Sequence, residues 1–92
     1  MRVKAVFHGI LSEWVGVAQA ELILPDGGTF EDLLFEVRKV YGPNMPLQLG
    51  NKGRADFQRA FFAMRGKERL SEPTEKLKEG EEIQFFLSLA GG

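Results

Sequence analysis

Apolar positions alternate loosely along residues 2–8, with Val3, Ala5 and Phe7 on one side and Arg2, Lys4 and Val6 on the other, which predicts a strand. Residues 9–16 form a mixed connection in which Ile10, Leu11 and Trp14 are expected to be partly buried. Alternation returns over residues 18–24, where Ala20, Leu22 and Leu24 share one face and Gln19, Glu21 and Ile23 the other. Pro25-Asp26-Gly27-Gly28 is a turn signal that ends this second strand. The period then changes. Phe30, Leu33, Leu34, Val37, Val40 and Tyr41 fall at helical spacing and make a single apolar stripe. Thr29 is placed to cap that helix, with Asp32 three residues on as an approximate capping box. Glu31 and Asp32 sit in its first turn and Arg38 and Lys39 in its last, the order that the helix dipole favours. Gly42-Pro43 stops it.

Residues 44–59 carry no clear period. Residues 60–65 predict a strand that turns at Gly66-Lys67 towards Leu70, and residues 71–78 are polar, with room for a short turn. Glu79-Gly80-Glu81 is a tight turn before the last strand, residues 82–89. In that strand Ile83, Phe85, Leu87 and Leu89 share the face suited to the core, and Gln84, Phe86 and Ser88 share the other. The order strand, strand, helix, strands, final strand suits an α+β layer with one helix on one face of a mixed sheet. The first and last strands are candidates to lie side by side at its centre. No internal repeat or low-complexity segment is present.

The chain's 92 residues make a domain of modest size. At such a length roughly 60–65% of the unfolded surface can be buried, enough for a core without disulfides or metal. The apolar share of 43% and the eight phenylalanines fit a packed core. Twelve basic against thirteen acidic side chains leave the charge near zero, so a general nucleic-acid footprint is not expected. The absence of cysteine excludes disulfides and a thiol nucleophile. No apolar run approaches the roughly 20 residues that span a bilayer, no signal-peptide pattern opens the sequence, and the expected location is the cytoplasm.

The chemistry concentrates at Ala90-Gly91-Gly92, directly after the last apolar run. Glycine lacks a Cβ, so it enters narrow channels and accepts any backbone angle. A carboxylate carried on two such residues is expected to be the reactive group, on a flexible tail beyond an ordered body of about residues 1–89. Phe86, on the open sheet face just before that tail, is a candidate anchor for a partner, with Ser88 beside it; a lone exposed phenylalanine is the plainer alternative. His8 is the only histidine and has no second metal ligand at a recognisable spacing, so a hydrogen-bonded strand-end histidine is expected, not a metal site. Ser12 and Glu13 near it lack a nucleophile signature, and Gly50-Asn51-Lys52-Gly53 neither follows a clear strand nor opens a clear helix, as a phosphate loop would. Lys52, Arg54, Arg59, Arg65, Lys67 and Arg69 make the second half locally basic, diluted by Asp56, Glu68, Glu72 and Glu75; a solvated face is the main reading and docking to an acidic partner the minor one. Phe35 lies off the helix stripe and is either a second packing contact or a partner contact.

Taken in order, Phe7, Glu13, Gly16, Leu24-Pro25, Thr29, Asp32-Leu33-Leu34, Leu77, Gly80-Glu81-Glu82, the apolar run over residues 83–89 and Ala90-Gly91-Gly92 resemble the pattern of the β-grasp, ubiquitin-like sulfur carriers. Of these, the small subunit of molybdopterin synthase is more similar than the thiamine-pathway carrier. The resemblance covers most of the chain except residues 44–59. His8-Gly9, Arg65-Gly66 and the proline-free Phe85-Phe86-Leu87-Ser88-Leu89 depart from the pattern. It implies a single β-grasp domain over residues 1–92, a mixed sheet of four to five strands with one main helix on one face, and a Gly-Gly tail. It implies a carrier and not an enzyme, with no bound cofactor. Its partners would be an ATP-using, ubiquitin-activating-type enzyme that adenylates Gly92, a protein carrying a persulfide, and the large synthase subunit that takes sulfur from the Gly92 thiocarboxylate. Ala90, Gly91 and Gly92 would enter the partners' sites. Two alternatives stay open: a ubiquitin-like modifier joined through Gly92 to target lysines, or a carrier for thiamine, transfer RNA or amino-acid sulfur transfer. A plain β-grasp interaction module is a third.

Overall fold

A computed structural model describes residues 1–44 and 61–87 of the protein. Its elements are β1 (Arg2–Phe7), α1 (Ile10–Val15), β2 (Gln19–Ile23), α2 (Phe30–Tyr41), β3 (Phe61–Arg65), β4 (Glu68–Leu70) and β5 (Glu81–Leu87), with a 3₁₀ turn at Gly42–Asn44. The strands form a sheet in the order β2-β1-β5-β3-β4. β1 and β5 pair in parallel at its centre (Val3 opposite Glu81, Phe7 opposite Phe85), and the other pairings are antiparallel. A parallel pair needs a crossover, and α2 supplies it across one face of the sheet. The expected α+β layer, mixed sheet and adjacent terminal strands are therefore the observed architecture.

α2 starts where its sequence predicts. Thr29 has an extended backbone, its Oγ1 accepts from the Asp32 N–H at 3.3 Å, and the Asp32 carboxylate accepts from the Thr29 N–H at 2.9 Å. Both halves of a capping box are present. The first turn of a helix has further unpaired donors, and here the polar segment after β4 meets them. Phe30 N–H donates to the Glu75 carbonyl at 2.8 Å and Glu31 N–H to the Pro73 carbonyl at 3.0 Å. Leu77 N–H then donates to the Gly28 carbonyl and its side chain is buried, so the segment is a strap fastened across the helix start. Gly28 has no room for a side chain: a Cβ there would lie 2.9 Å from the Met1 methyl and 3.0 Å from the Pro25 carbonyl oxygen.

Between α2 and the sheet lies the core. Val3, Ala5, Phe7, Ile83, Phe85, Phe61, Ala63 and Leu70 reach it from the strands, and Phe30, Leu33, Leu34 and Val37 from the helix. Tyr41 closes its end, its ring edge-on to Phe7 with centroids 5.5 Å apart. Several expectations are corrected. Val40, assigned to the helix stripe, is 47% exposed, because it falls at the margin of the stripe, while Tyr41 one residue on packs against the core. Residues 10–15 form a short helix where an irregular connection was expected. It ends in a left-handed Gly16, and Leu11 and Val15 are buried while Ile10 is exposed. Six residues are too few for periodicity to reveal. Phe35 is 54% exposed and takes no part in the core. The segment without a clear period lies almost wholly outside the described residues.

At the far end of the sheet from the end of β5, Arg65 gathers charges on the helix-side face. Its guanidinium pairs with Glu81, donates to the Lys76 carbonyl at 2.6 Å, and lies 3.6 Å from Glu75 and 3.9 Å from Glu68. That cluster ties β3, β4, β5 and the strap together. It accounts for one of the basic residues of the second half as a structural one.

Candidate functional site

β5 is both the central strand and the last described element, ending at Leu87. Its side chains alternate as expected. Ile83 and Phe85 are essentially inaccessible beneath α2, Leu87 is half-buried against the core, and Gln84 and Phe86 point to the opposite, uncovered face.

Phe86 is not alone there. Its ring is parallel to that of His8, with centroids 4.5 Å apart and planes inclined by 5°. On its other side lies Phe62, at 4.9 Å and 13°. The guanidinium carbon of Arg69 stands 5.1 Å over the far side of Phe62. His8 follows β1, Phe86 belongs to β5, Phe62 to β3 and Arg69 to β4, so the row takes one side chain from each of four neighbouring strand positions. Register makes this possible. Phe62 sits directly opposite Phe86, and the His8 N–H donates to the Phe85 carbonyl at 3.1 Å, extending the β1–β5 ladder by one residue. The ring spacings match the distance between paired strands, so the rings stand upright on the sheet. Their faces are used by one another, and their edges meet solvent.

His8 is held further by a 3.0 Å hydrogen bond between Nε2 and Gln84 Oε1. Because an amide oxygen only accepts, Nε2 is the donor in this bond. Among the described residues the imidazole's contacts are Gln84 and Phe86, and no carboxylate is paired with it. Ser12 is likewise committed, its hydroxyl donating to the Gly9 carbonyl at 2.8 Å. Among the described residues no group of three histidine, cysteine, aspartate or glutamate side chains could hold a metal ion. No helix among them is long and apolar enough to cross a membrane. What the face offers is a half-buried apolar bearing surface with a cation at one end.

Of the residues singled out from sequence, Phe86 is therefore on the predicted face, and Ser88, Ala90, Gly91 and Gly92 lie outside the described residues. Gln84 shares that face as expected, while His8, Phe62 and Arg69 were not foreseen as its neighbours. The alternation of β3 could have placed Phe62 on the open face, but only strand order brings it beside Phe86.

No protein-family model matches the sequence, and no curated protein matches it either. Solved structures do resemble it. A crystal structure of SAMP1 from Haloferax volcanii superposes with a TM-score of 0.75 at 17% identity, over 100% of both chains. A structure described as molybdopterin converting factor subunit 1 from Pyrococcus furiosus gives 0.73 at 20% identity, over 97% of this chain and 99% of that one. A crystal structure of H. volcanii small archaeal modifier protein 1 gives 0.73 at 16% identity, over 96% and 98%. Strand order, the parallel central pair, the capped crossover helix and these superpositions agree: the chain has the ubiquitin-like β-grasp fold of the small modifier and molybdopterin-factor proteins.

Proposed function

We propose that the protein is a sulfur carrier whose reactive group is the Gly92 carboxylate, working as the small partner of a molybdopterin synthase in the cytoplasm. The observation that carries this reading is the exit of the chain from the central strand β5, beside the row of rings and ahead of Ala90-Gly91-Gly92. A partner that grips the open face is thereby close to the residues that must enter its site. Three extended residues reach on the order of 10 Å, and glycine at the last two positions lets a narrow channel close around them.

A carboxylate does not react with sulfur nucleophiles, because oxide would have to leave. In the proposed cycle the Gly92 carboxylate attacks the α-phosphorus of ATP on a ubiquitin-activating-type enzyme, and pyrophosphate departs. The terminal sulfur of a protein persulfide attacks the resulting acyl-adenylate, and AMP departs. A second thiol then cleaves the S–S bond of the acyl disulfide, leaving the thiocarboxylate and a disulfide. That thiocarboxylate sulfur displaces an oxygen leaving group from a pterin precursor held by a large synthase subunit, and water then cleaves the resulting thioester, leaving the sulfur on the pterin and returning the Gly92 carboxylate. Positioning and charge stabilisation belong to the partners, so the protein is a co-substrate with no catalytic group and no bound cofactor of its own.

The modifier proteins among the structural neighbours favour a second reading, in which the same adenylate is passed to lysine amines of target proteins. The two differ in the fate of the acyl group. Reconstitution with the activating enzyme of the same genome, ATP and a persulfide donor separates them by intact mass. Oxygen-for-sulfur exchange at Gly92 supports the carrier. Isopeptide-linked conjugates without sulfur support the modifier, and no ATP-dependent product removes both.

A further inference from the structure

Among the described residues the sheet has two free edges, and they are protected unequally. β4 is three residues long and carries Glu68 and Arg69, and short, charged edges resist pairing with other chains. β2 is longer, at five residues, runs beside β1 in unbroken register, and holds neither proline nor lysine. The direction of its backbone groups follows from the bonds at its two ends. Phe7 N–H donates to the Ala18 carbonyl at 2.8 Å, Leu24 N–H to the Met1 carbonyl at 2.7 Å, and the Met1 amino group to the Leu24 carbonyl at 2.9 Å. Antiparallel pairs alternate between bonded and non-bonded, so Ala20 and Leu22 aim their N–H and C=O groups at β1. Gln19, Glu21 and Ile23 aim theirs away from the sheet, where no described residue meets them. Ile23 is 64% exposed, more than any other large apolar side chain described, and the exposed Val17 stands just ahead of the strand. Among the described residues Glu21 has no ion pair; Lys4, opposite it on β1, lies 3.8 Å from Glu82 instead.

We propose that β2 pairs with β2 of a second copy of this chain, antiparallel about a two-fold axis at Ala20, so that two sheets become one. The strand's own sequence selects the register. With Gln19 opposite the second copy's Glu21, each carboxylate faces an amide donor, and the small Ala20 meets its own copy on the axis. Ile23 comes against the second copy's Val17, so the apolar residues at the two ends of the edge cover each other. A shift of two residues one way sets Glu21 against Glu21, and like charges directly opposite are destabilising. A shift the other way sets the Glu21 carboxylate against the apolar Val17. The contact is a single pair of short strands, smaller than a standard interface, so the dimer is weak and depends on concentration. Because β1 lies between β2 and β5, the pairing leaves the row of rings uncovered. It sets the two β5 strands five strand spacings apart, roughly 24 Å, with both open faces on one side. The pairing is independent of the chemistry at Gly92.

The test is sedimentation equilibrium of the full-length protein from micromolar to millimolar concentration. Its mean mass should climb from 10.3 kDa towards twice that value as concentration rises. Gln19→Glu sets carboxylates opposite each other at two symmetric places and should weaken association about tenfold, while Gln19→Lys should strengthen it by a similar factor. Adding Glu21→Lys to Gln19→Glu should restore pairing, an outcome that neither neighbouring register gives. Both positions are exposed, so the melting temperatures of these variants in dilute solution should match that of the wild type. In this cysteine-free chain, Ala20→Cys supplies one thiol, with its Cα about 4.5 Å from the equivalent Cα across the axis. That separation is within disulfide range, and mild oxidation should give a linked dimer. A monomeric mass at every concentration would overturn the inference and leave the edge to a strand of another protein. Association untouched by Gln19→Glu, or an Ala20→Cys protein that stays unlinked where the wild type associates, would place the contact on another surface and overturn it too.

Discussion

Phe86 shows how a single side chain can serve stability and recognition together. It is flanked on both sides by parallel rings, and each such pair contributes about 0.5–1.5 kcal/mol beyond the area it buries. Phe86→Ala should therefore lower stability by about 1–3 kcal/mol by chemical denaturation. Phe86→Leu should cost less and retain part of any partner affinity. A Phe86→Ala protein of unchanged stability would show that the row is not formed in solution. Thr29 offers a cleaner case, since its side chain does nothing but cap. Thr29→Ala removes the hydroxyl that accepts from Asp32 N–H, and should cost about 1 kcal/mol. In a domain of this size that is a fall of about 4–8 °C in melting temperature. At Gly80, φ is +76° with open space around the Cβ position, so Gly80→Ala should cost about 1–2 kcal/mol through backbone strain alone.

At the scale of elements, β5 holds the molecule together. Its helix-side residue Ile83 is fully buried between β1 and β3, and Ile83→Ala should cost about 2–5 kcal/mol. Set against the 5–15 kcal/mol typical of whole domains, that change should leave a protein partly unfolded near physiological temperature, measurable as a broad loss of amide protection. β5 was also legible in the sequence, because Ile83, Phe85 and Leu87 fall at every second position of an apolar run and Gly80 marks its start. α2 was legible for the same kind of reason, its local signals (cap, stripe, charge order) agreeing with its packing. α1 was not, since six residues show little more than one turn of period and Leu11 and Val15 are buried by contacts distant in sequence. The row of rings stayed hidden for a third reason. His8, Phe62 and Phe86 are separated by long stretches of chain, and only the order β1-β5-β3-β4 makes them neighbours. Local pattern reveals which face a residue takes, but not who stands beside it.

For the whole molecule, the fold divides its labour between two faces. The helix side is closed by the core, the capping box and the strap, with Arg65 pinning the sheet's far end. The other side is left open, and β5 ends at Leu87 in the centre of the sheet next to the row of rings. A body that keeps its rigidity on one side and presents a bearing surface on the other suits a protein that other proteins handle. If the terminal carboxylate is the working group, one residue added after Gly92 should abolish activation while the melting temperature stays the same. The decisive measurement is ATP–pyrophosphate exchange with the activating enzyme of the same genome, comparing wild type with that one-residue extension. Exchange that requires the unextended Gly92 is the predicted result; equal exchange by both proteins, or none by the wild type, would contradict the account.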